Sequence, residues 1–321
     1  MNLPNPIGGY FELELRSSGK FRDNAIFLNS ARTCLEFILI TKKPSKIYIP
    51  KYTCDVILQP IHRQNIEYEY YNIDNNLEIT KPIHLQEGDQ LLYTNYYGLK
   101  NNYCKKLSDK YGINLILDCS QAYYYDYYRE SNIIYSPRKF FGVPDGGELY
   151  TKLNIDKEYA TDVSYDRFSH LIKRIDVSPE FGYESFVEDD ASLDNQPIKK
   201  MSNLTNRILS SVDYNLVKKR RFENYAFLYK ELSKNNELHL NVDAEEVPMV
   251  FPYLIKNTNI KQYLLASQIY VPTYWPNVYD WAAIGEYERY LVDNLITLPI
   301  DQRYTIDDMK RIIRVLNECK N

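Results

Sequence analysis

Glycine is scarce in this chain, 11 in 321 residues, yet three of the 11 fall between 142 and 147. Histidine is rarer, at four (His62, His84, His170 and His239), with no HExxH spacing and no cluster, which argues against metal catalysis. The five cysteines (Cys34, Cys54, Cys104, Cys119 and Cys319) are odd in number and form no CxxC pair. Neither a zinc knuckle nor a redox dithiol is indicated, and reduced thiols in the cytoplasm are expected. No apolar run reaches the length that spans a bilayer, and MNLPNPIGGYF lacks the charged-then-apolar order of a leader. There is no long basic block and the net charge is −4, so neither a nucleic-acid surface nor a membrane partner is expected. Internal repeats and low-complexity linkers are absent as well.

What is present is ordinary soluble composition, 44% hydrophobic and 26% charged, in a chain long enough for one large domain and a smaller one. Residues 26–42 place a polar turn, Asn29 to Thr33, before an apolar-periodic helix. Short apolar strands are predicted at 46–50, 66–72, 89–98, 114–118, 132–136 and 147–152, with helices over 53–63 and 105–112 between them. Strands alternating with helices imply crossover connections and a mostly parallel sheet. The run AYYYDYY (122–128) reads as a loop, the pattern weakens over 159–200, and ESFVEDDASLD (184–194) reads as an exposed acidic segment. One long helix is predicted over 202–234, with KKRR (218–221) as its solvated face. Strands at 247–255 and 295–300 and helices at 261–268 and 305–319 follow, the last capped by Thr305 with acids in its first turn. The expected division is a large α/β domain over 1–215, then a connecting helix and small α+β domain over 216–321.

The chemistry-bearing order lies in the first of these. LILDCSQA (115–122) is a strand ending in Asp118, with Gln121 three residues on. YSPRKFFGVPDGG (135–147) follows, with Ser136, Lys139 and the pair Gly146–Gly147. An acid at the end of a buried strand is a usual place for a functional group in an α/β sheet. Glycines beside a lysine mark a backbone that turns tightly or approaches another closely. Each feature has a plainer reading: a loop lysine in solvent, and an aspartate that caps a helix.

These segments, in this order, resemble the DegT-type aminotransferases, pyridoxal-phosphate enzymes of fold type I that act mostly on nucleotide-linked keto sugars. IYIPKYTCDVILQPI and IEYEYYNIDNNLEI resemble the family's strand, Pro-x-x-Thr turn, helix and strand. LILDCSQA is similar to its Asp-x-x-Gln segment, KFFGVPDGGELYT to its lysine, acid and Gly-Gly strand, and LITLPIDQRYTIDDMKRI to its closing strand, loop and helix. The resemblance implies a mostly parallel central sheet flanked by helices, a smaller C-terminal α+β domain, and a homodimer. It makes pyridoxal 5′-phosphate the cofactor and Lys139 its Schiff-base lysine. It sets Asp118 against the pyridine nitrogen and Gln121 near the ring oxygen or against Asp118. The turn of Ser30, Ala31 and Arg32 stands at the phosphate with Ser136. Here Ala31–Arg32 replaces the family's Gly-Thr, so phosphate binding passes to a guanidinium. Cys54 stands where the family has a ring-stacking aromatic, so ring packing falls to Cys54 or Tyr52. The implied reaction moves an amino group, with glutamate the expected donor, to a nucleotide-linked keto sugar in surface-glycan biosynthesis. The retained Lys139 argues for this, since the family's dehydratases replace the lysine. The altered phosphate and stacking positions leave two alternatives open: a non-catalytic sugar-nucleotide-binding descendant, and a pyridoxal-phosphate enzyme for a smaller keto compound.

Overall fold

Runs of Ile, Leu and Tyr with no polar interruption form the strands, and their alternation decides which helix each residue meets. The structure, a computed structural model, describes residues 7–154, 157–240, 246–256 and 259–319. Of the leader reading at 1–11, residues 1–6 lie outside the described residues, as do 320–321 at the end of the expected second domain. Strand β1 (Ile26–Leu28) leads into helix α1 (Ala31–Lys42). β2 (Lys46–Pro50), α2 (Leu58–Arg63), β3 (Glu67–Tyr71) and β4 (Gln90–Thr94) follow. Then come α3 (Asn101–Tyr111), β5 (Leu115–Asp118), β6 (Asn132–Tyr135) and β7 (Gly147–Tyr150). These strands make one sheet in the order β1-β7-β6-β5-β4-β2-β3. β2 to β6 run parallel, and β7 is antiparallel to both β6 and β1.

Successive strand residues face opposite sides. Leu92, Ile116 and Ile134 therefore join Leu35, Ile38 and Leu39 of α1 in one buried cluster. Their neighbours Leu91, Tyr93, Leu115, Leu117, Ile133 and Tyr135 join a second cluster on the other face. A central sheet buried on both faces is the reason its strands read as continuous apolar runs.

In the second half, residues from 201 onward pack onto that other face, and Tyr159 and Ile198 pack beside α1 instead. The helices of this half are α4 (Ser169–Asp176), α5 (Pro179–Ala191), α6 (Asn203–Ser210) and α7 (Tyr214–Leu232). After them come β8 (Val250–Leu254), α8 (Ile260–Ala266), α9 (Val278–Trp281), α10 (Tyr287–Asn294), β9 (Leu295–Pro299) and α11 (Ile306–Glu318). β8 and β9 pair antiparallel as a separate two-stranded sheet. Val217, Leu228, Phe251, Leu298 and Met309 share the cluster of Leu117 and Tyr135, so one apolar core runs through both sheets. The expected division after residue 215 falls in the first turn of α7.

Four readings of the sequence change. The predicted helix over 202–234 is two helices, because Asp213 accepts the Leu216 N–H (2.9 Å) and so starts a new one. Two helices fill 159–200, where the pattern weakened. The turn before α1 is preceded by β1, whose three residues are too few for a periodic signal. In KKRR, Arg221 points inward and is only 1% exposed. The closing helix has its expected cap: Thr305 and Asp308 form a reciprocal capping box.

Candidate active site

The parallel strands end on one edge of the sheet, and the loops leaving that edge carry the predicted residues. Asp118 closes β5, Ser136 to Lys139 follow β6, and Tyr52 and Cys54 follow β2. β1 delivers Ser30 to the same edge, and β7, running the other way, starts there at Gly147. A change of direction in strand order, here between β2 and β4, is where open α/β sheets leave a crevice.

Ser30 is the N-cap of α1. Its hydroxyl accepts the Thr33 N–H (3.1 Å), and Thr33 Oγ1 accepts the Ser30 N–H (3.1 Å). Gly146, at φ +118°, donates its N–H to the Asn29 carbonyl (2.8 Å). A Cβ on Gly147 would lie 2.2 Å from the Ser30 carbonyl oxygen and 2.7 Å from the Ala31 nitrogen. The Gly-Gly pair therefore lets the lysine loop lie directly on the turn that starts α1. Asp145, fully buried, accepts from the Ser202 N–H (2.9 Å), the Ser202 hydroxyl (2.7 Å) and the Thr205 hydroxyl. The acid before the glycines thus caps α6 and anchors the loop from the other side.

Asp118 is the one partly open residue of β5, and its Oδ1 accepts the Ser120 N–H (2.9 Å). Burial pushes its carboxyl above the ordinary range, while the Ser120 hydrogen bonds and the Lys139 ammonium pull it back. Lys139 is exposed, and its backbone N–H closes a tight turn onto the Ser136 carbonyl (3.2 Å). Ser136 is buried and its hydroxyl takes no part in that turn. Cys54 donates to Asp55 Oδ1 (3.7 Å). Burial raises its thiol, and the Val56 backbone, then Lys139 and Arg32, oppose that rise.

Gln121 and Tyr52 are engaged by protein. Gln121 Oε1 accepts the Tyr97 N–H (3.0 Å). This bond supports a backbone that Tyr97 holds at φ 58°. The Tyr52 hydroxyl bonds that of Tyr97 (3.1 Å), and its ring packs edge-on against Trp275 (4.8 Å). Of the two residues offered for ring packing, Tyr52 is fully buried and Cys54 is the partly open one.

The acidic segment is largely exposed, as expected, and two of its residues pair with cations of the predicted loops. Asp190 pairs with Arg138 (2.8 Å) and Asp194 with Arg32. Burial would raise Asp190, but Arg138, then Lys139 and Arg32, hold its carboxyl below the ordinary range. Arg138 is therefore the direct partner of this carboxylate at the end of α5, with Lys139 and Arg32 acting on it from further off. The signal was available: acids four apart, at 190 and 194, with cations adjacent to both predicted loops. Arg138 Nε is also buried with no hydrogen-bond partner.

Among solved structures the chain is similar to the sugar aminotransferase CalS13 from Micromonospora echinospora. That match has a TM-score of 0.63 at 15% identity and covers 92% of this chain and 87% of the other. It is similar also to DesV from S. venezuelae, solved in complex with a ketimine intermediate (TM-score 0.64, 15% identity, 92% and 84% covered). The fold is theirs. The same aminotransferase fold relates it to an E. coli GDP-4-keto-6-deoxy-D-mannose-3-dehydratase with bound hydrated PLP, at a TM-score of 0.61, 14% identity and 91% and 87% coverage. The sequence matches no protein-family model and no curated relative. In the terms of this fold, Asp118 and Lys139 lie on the edge where the parallel strands end, and the Gly-Gly pair ties the start of α1 to the lysine loop.

Proposed function

We propose that the protein is a pyridoxal-phosphate-dependent aminotransferase. In this reading it moves an amino group from an amino acid, glutamate by expectation, to a nucleotide-linked keto sugar, and it serves surface-glycan biosynthesis as a cytoplasmic homodimer. The observation that carries this is the placement of Asp118, at the end of β5, and of exposed Lys139, on the loop leaving the neighbouring strand β6, at one edge of the sheet. The residues fit the cofactor's parts. Asp118 offers an acid in a low-dielectric wall, Lys139 an amine open to the crevice, and Arg32 and Arg138 two forks for a phosphate. Arg138 Nε, buried without a partner, is a donor still to be used.

When bound, the cofactor supplies an electron sink for the carbanion formed at the amino donor's Cα. This chain's residues do the rest. Asp118 holds a proton on the pyridine nitrogen, and its burial keeps that hydrogen bond out of water. Lys139 Nζ takes and returns the proton at Cα, a task for an amine flanked by other cations. The start of α1 presents N–H groups to a phosphate, and Gly147 holds the lysine loop against that start. Cys54, smaller than an aromatic, leaves the ring a thinner wall on its side.

The test is titration with pyridoxal phosphate, then borohydride reduction and peptide mapping. A stable adduct on Lys139, absent from Lys139→Ala, is expected, and a glutamate half-reaction should then be visible in the absorption spectrum. A second reading, a non-catalytic sugar-nucleotide-binding protein, draws on Arg32 and Arg138 being paired already with Asp194 and Asp190. No adduct and no spectral change would select it.

A further inference from the structure

The run KKRR hides a charge whose carboxylate neighbour, Asp301, acts on it without a direct ion pair. Arg221 on α7 is among the largest fully buried side chains, and among the described residues no acid lies within ion-pair distance of it. Burial drives its guanidinium down to about 10. Its donors go to neutral acceptors: Nη1 to the carbonyls of Met249 (2.8 Å) and Pro248 (3.4 Å), Nε to Gln302 Oε1 (3.2 Å), and Nη2 to the Phe140 carbonyl (3.4 Å). Gln302 Nε2 donates to that same carbonyl at 2.7 Å. The guanidinium also lies over the Phe140 ring, 4.5 Å from its centre. One turn further along α7, Asn224 donates to the carbonyls of Ile300 (3.1 Å) and Tyr304 (3.0 Å), which fixes the loop that carries Gln302.

Phe140 is the residue after Lys139. Upstream, the turn is closed by the Lys139 and Phe140 N–H groups on the Ser136 (3.2 Å) and Pro137 (2.9 Å) carbonyls. Downstream, the free end of that turn is the Phe140 carbonyl, which Arg221 and Gln302 bracket. A guanidinium buried without a direct ion pair is costly, and an apolar side chain of similar size would ordinarily serve stability as well or better. Its retention under the lysine turn, joined to a glutamine from the β9–α11 loop, calls for a reason other than packing.

We propose that Arg221 and Gln302 are positioning residues for Lys139: together they fix the Phe140 peptide, so the lysine is presented to the crevice at a set angle, and the C-terminal sheet takes part in that setting. The inference rests on the reading of Lys139 as the lysine that bonds the cofactor.

Gln302→Glu separates positioning from packing. A carboxylate still accepts from Arg221 and neutralises it, but it has no N–H to give Phe140. The rate of borohydride-trapped pyridoxal-phosphate adduct at Lys139 is expected to fall about tenfold or more, as a misplaced reacting group does. Far-UV circular dichroism and the melting temperature should be held or improved. Affinity for pyridoxine 5′-phosphate, an alcohol that cannot form the adduct, should stay within about twofold of wild type, since its phosphate contacts are untouched. Gln302→Leu should slow trapping in the same way. Trapping at the wild-type rate in both variants would overturn the proposal, as would a rate loss matched by lost pyridoxine phosphate affinity. A wild-type protein that yields no adduct would remove the reading of Lys139 itself and the inference with it.

Discussion

Residue 147 has no room for a side chain. A methyl group there would sit 2.2 Å from the Ser30 carbonyl oxygen, a backbone atom that cannot swing away. Gly147→Ala is expected to destabilise the protein by about 3 kcal/mol, at the upper end of overpacking costs. It should also weaken phosphate-ester binding, because the loop would leave the start of α1. Urea unfolding and pyridoxine phosphate titration check the two effects. At Asp162 a pH effect follows. Burial opposes its ionisation, but Lys199 (2.9 Å) and Arg167 (2.6 Å) prevail and hold the carboxyl below the ordinary 3.8. A depressed folded value contributes stability above the unfolded value and loses it as pH falls through the folded one. The wild type should therefore lose stability more steeply than Asp162→Asn on acidification below about pH 4, as thermal melts across that range would show. Single residues of this kind were partly legible. The glycines announced a close approach, but the identity of the backbone they approach depends on β1 and β7 pairing across 120 residues.

Among the elements, α6 depends on an acid from elsewhere in the chain. Asp145 receives the Ser202 N–H and two hydroxyls with no exposure to solvent. Asp145→Ala would leave those donors unpaired in the core, at a cost of about 2–4 kcal/mol. The variant is expected to lower the unfolding free energy obtained from urea titration by that amount, and Asp145→Asn to recover only part of it. A variant as stable as wild type would show that the loop is held by its glycines alone. The strands were legible because they are short, apolar and buried on both faces. The break between α6 and α7 was not, since Ser211 and Asp213 are tolerable helix residues that become a cap only when the chain turns. Arg221 was misread because charge in a helical run is ordinarily solvated, and only tertiary carbonyls at 140, 248 and 249 make burial tolerable.

At the scale of the whole molecule, the two helices after β7 form a hairpin that closes tightly on itself. His170 Nδ1 lies 2.6 Å from Asp189 Oδ2, Lys173 bonds Ser185 (2.5 Å), and Gly182 lies against the His170 carbonyl. Ile172 and Ile175 on its first helix and Phe181, Tyr183, Phe186 and Val187 on its second are all exposed. Exposed apolar side chains gathered on one element are a feature of surfaces that meet another molecule. The same hairpin ends at Asp190 and Asp194, on the cations of the site, so covering it would also steady the acids that face Arg138 and Arg32. The homodimer is a proposal, and this hairpin is the surface on which it is expected to form. Sedimentation equilibrium should give a dimer at micromolar concentration, and the double variant Phe181→Glu, Tyr183→Lys should shift it toward monomer with an unchanged circular dichroism spectrum. A dimer that survives both substitutions would move the interface elsewhere, and a wild-type monomer would remove the dimer from the reading altogether.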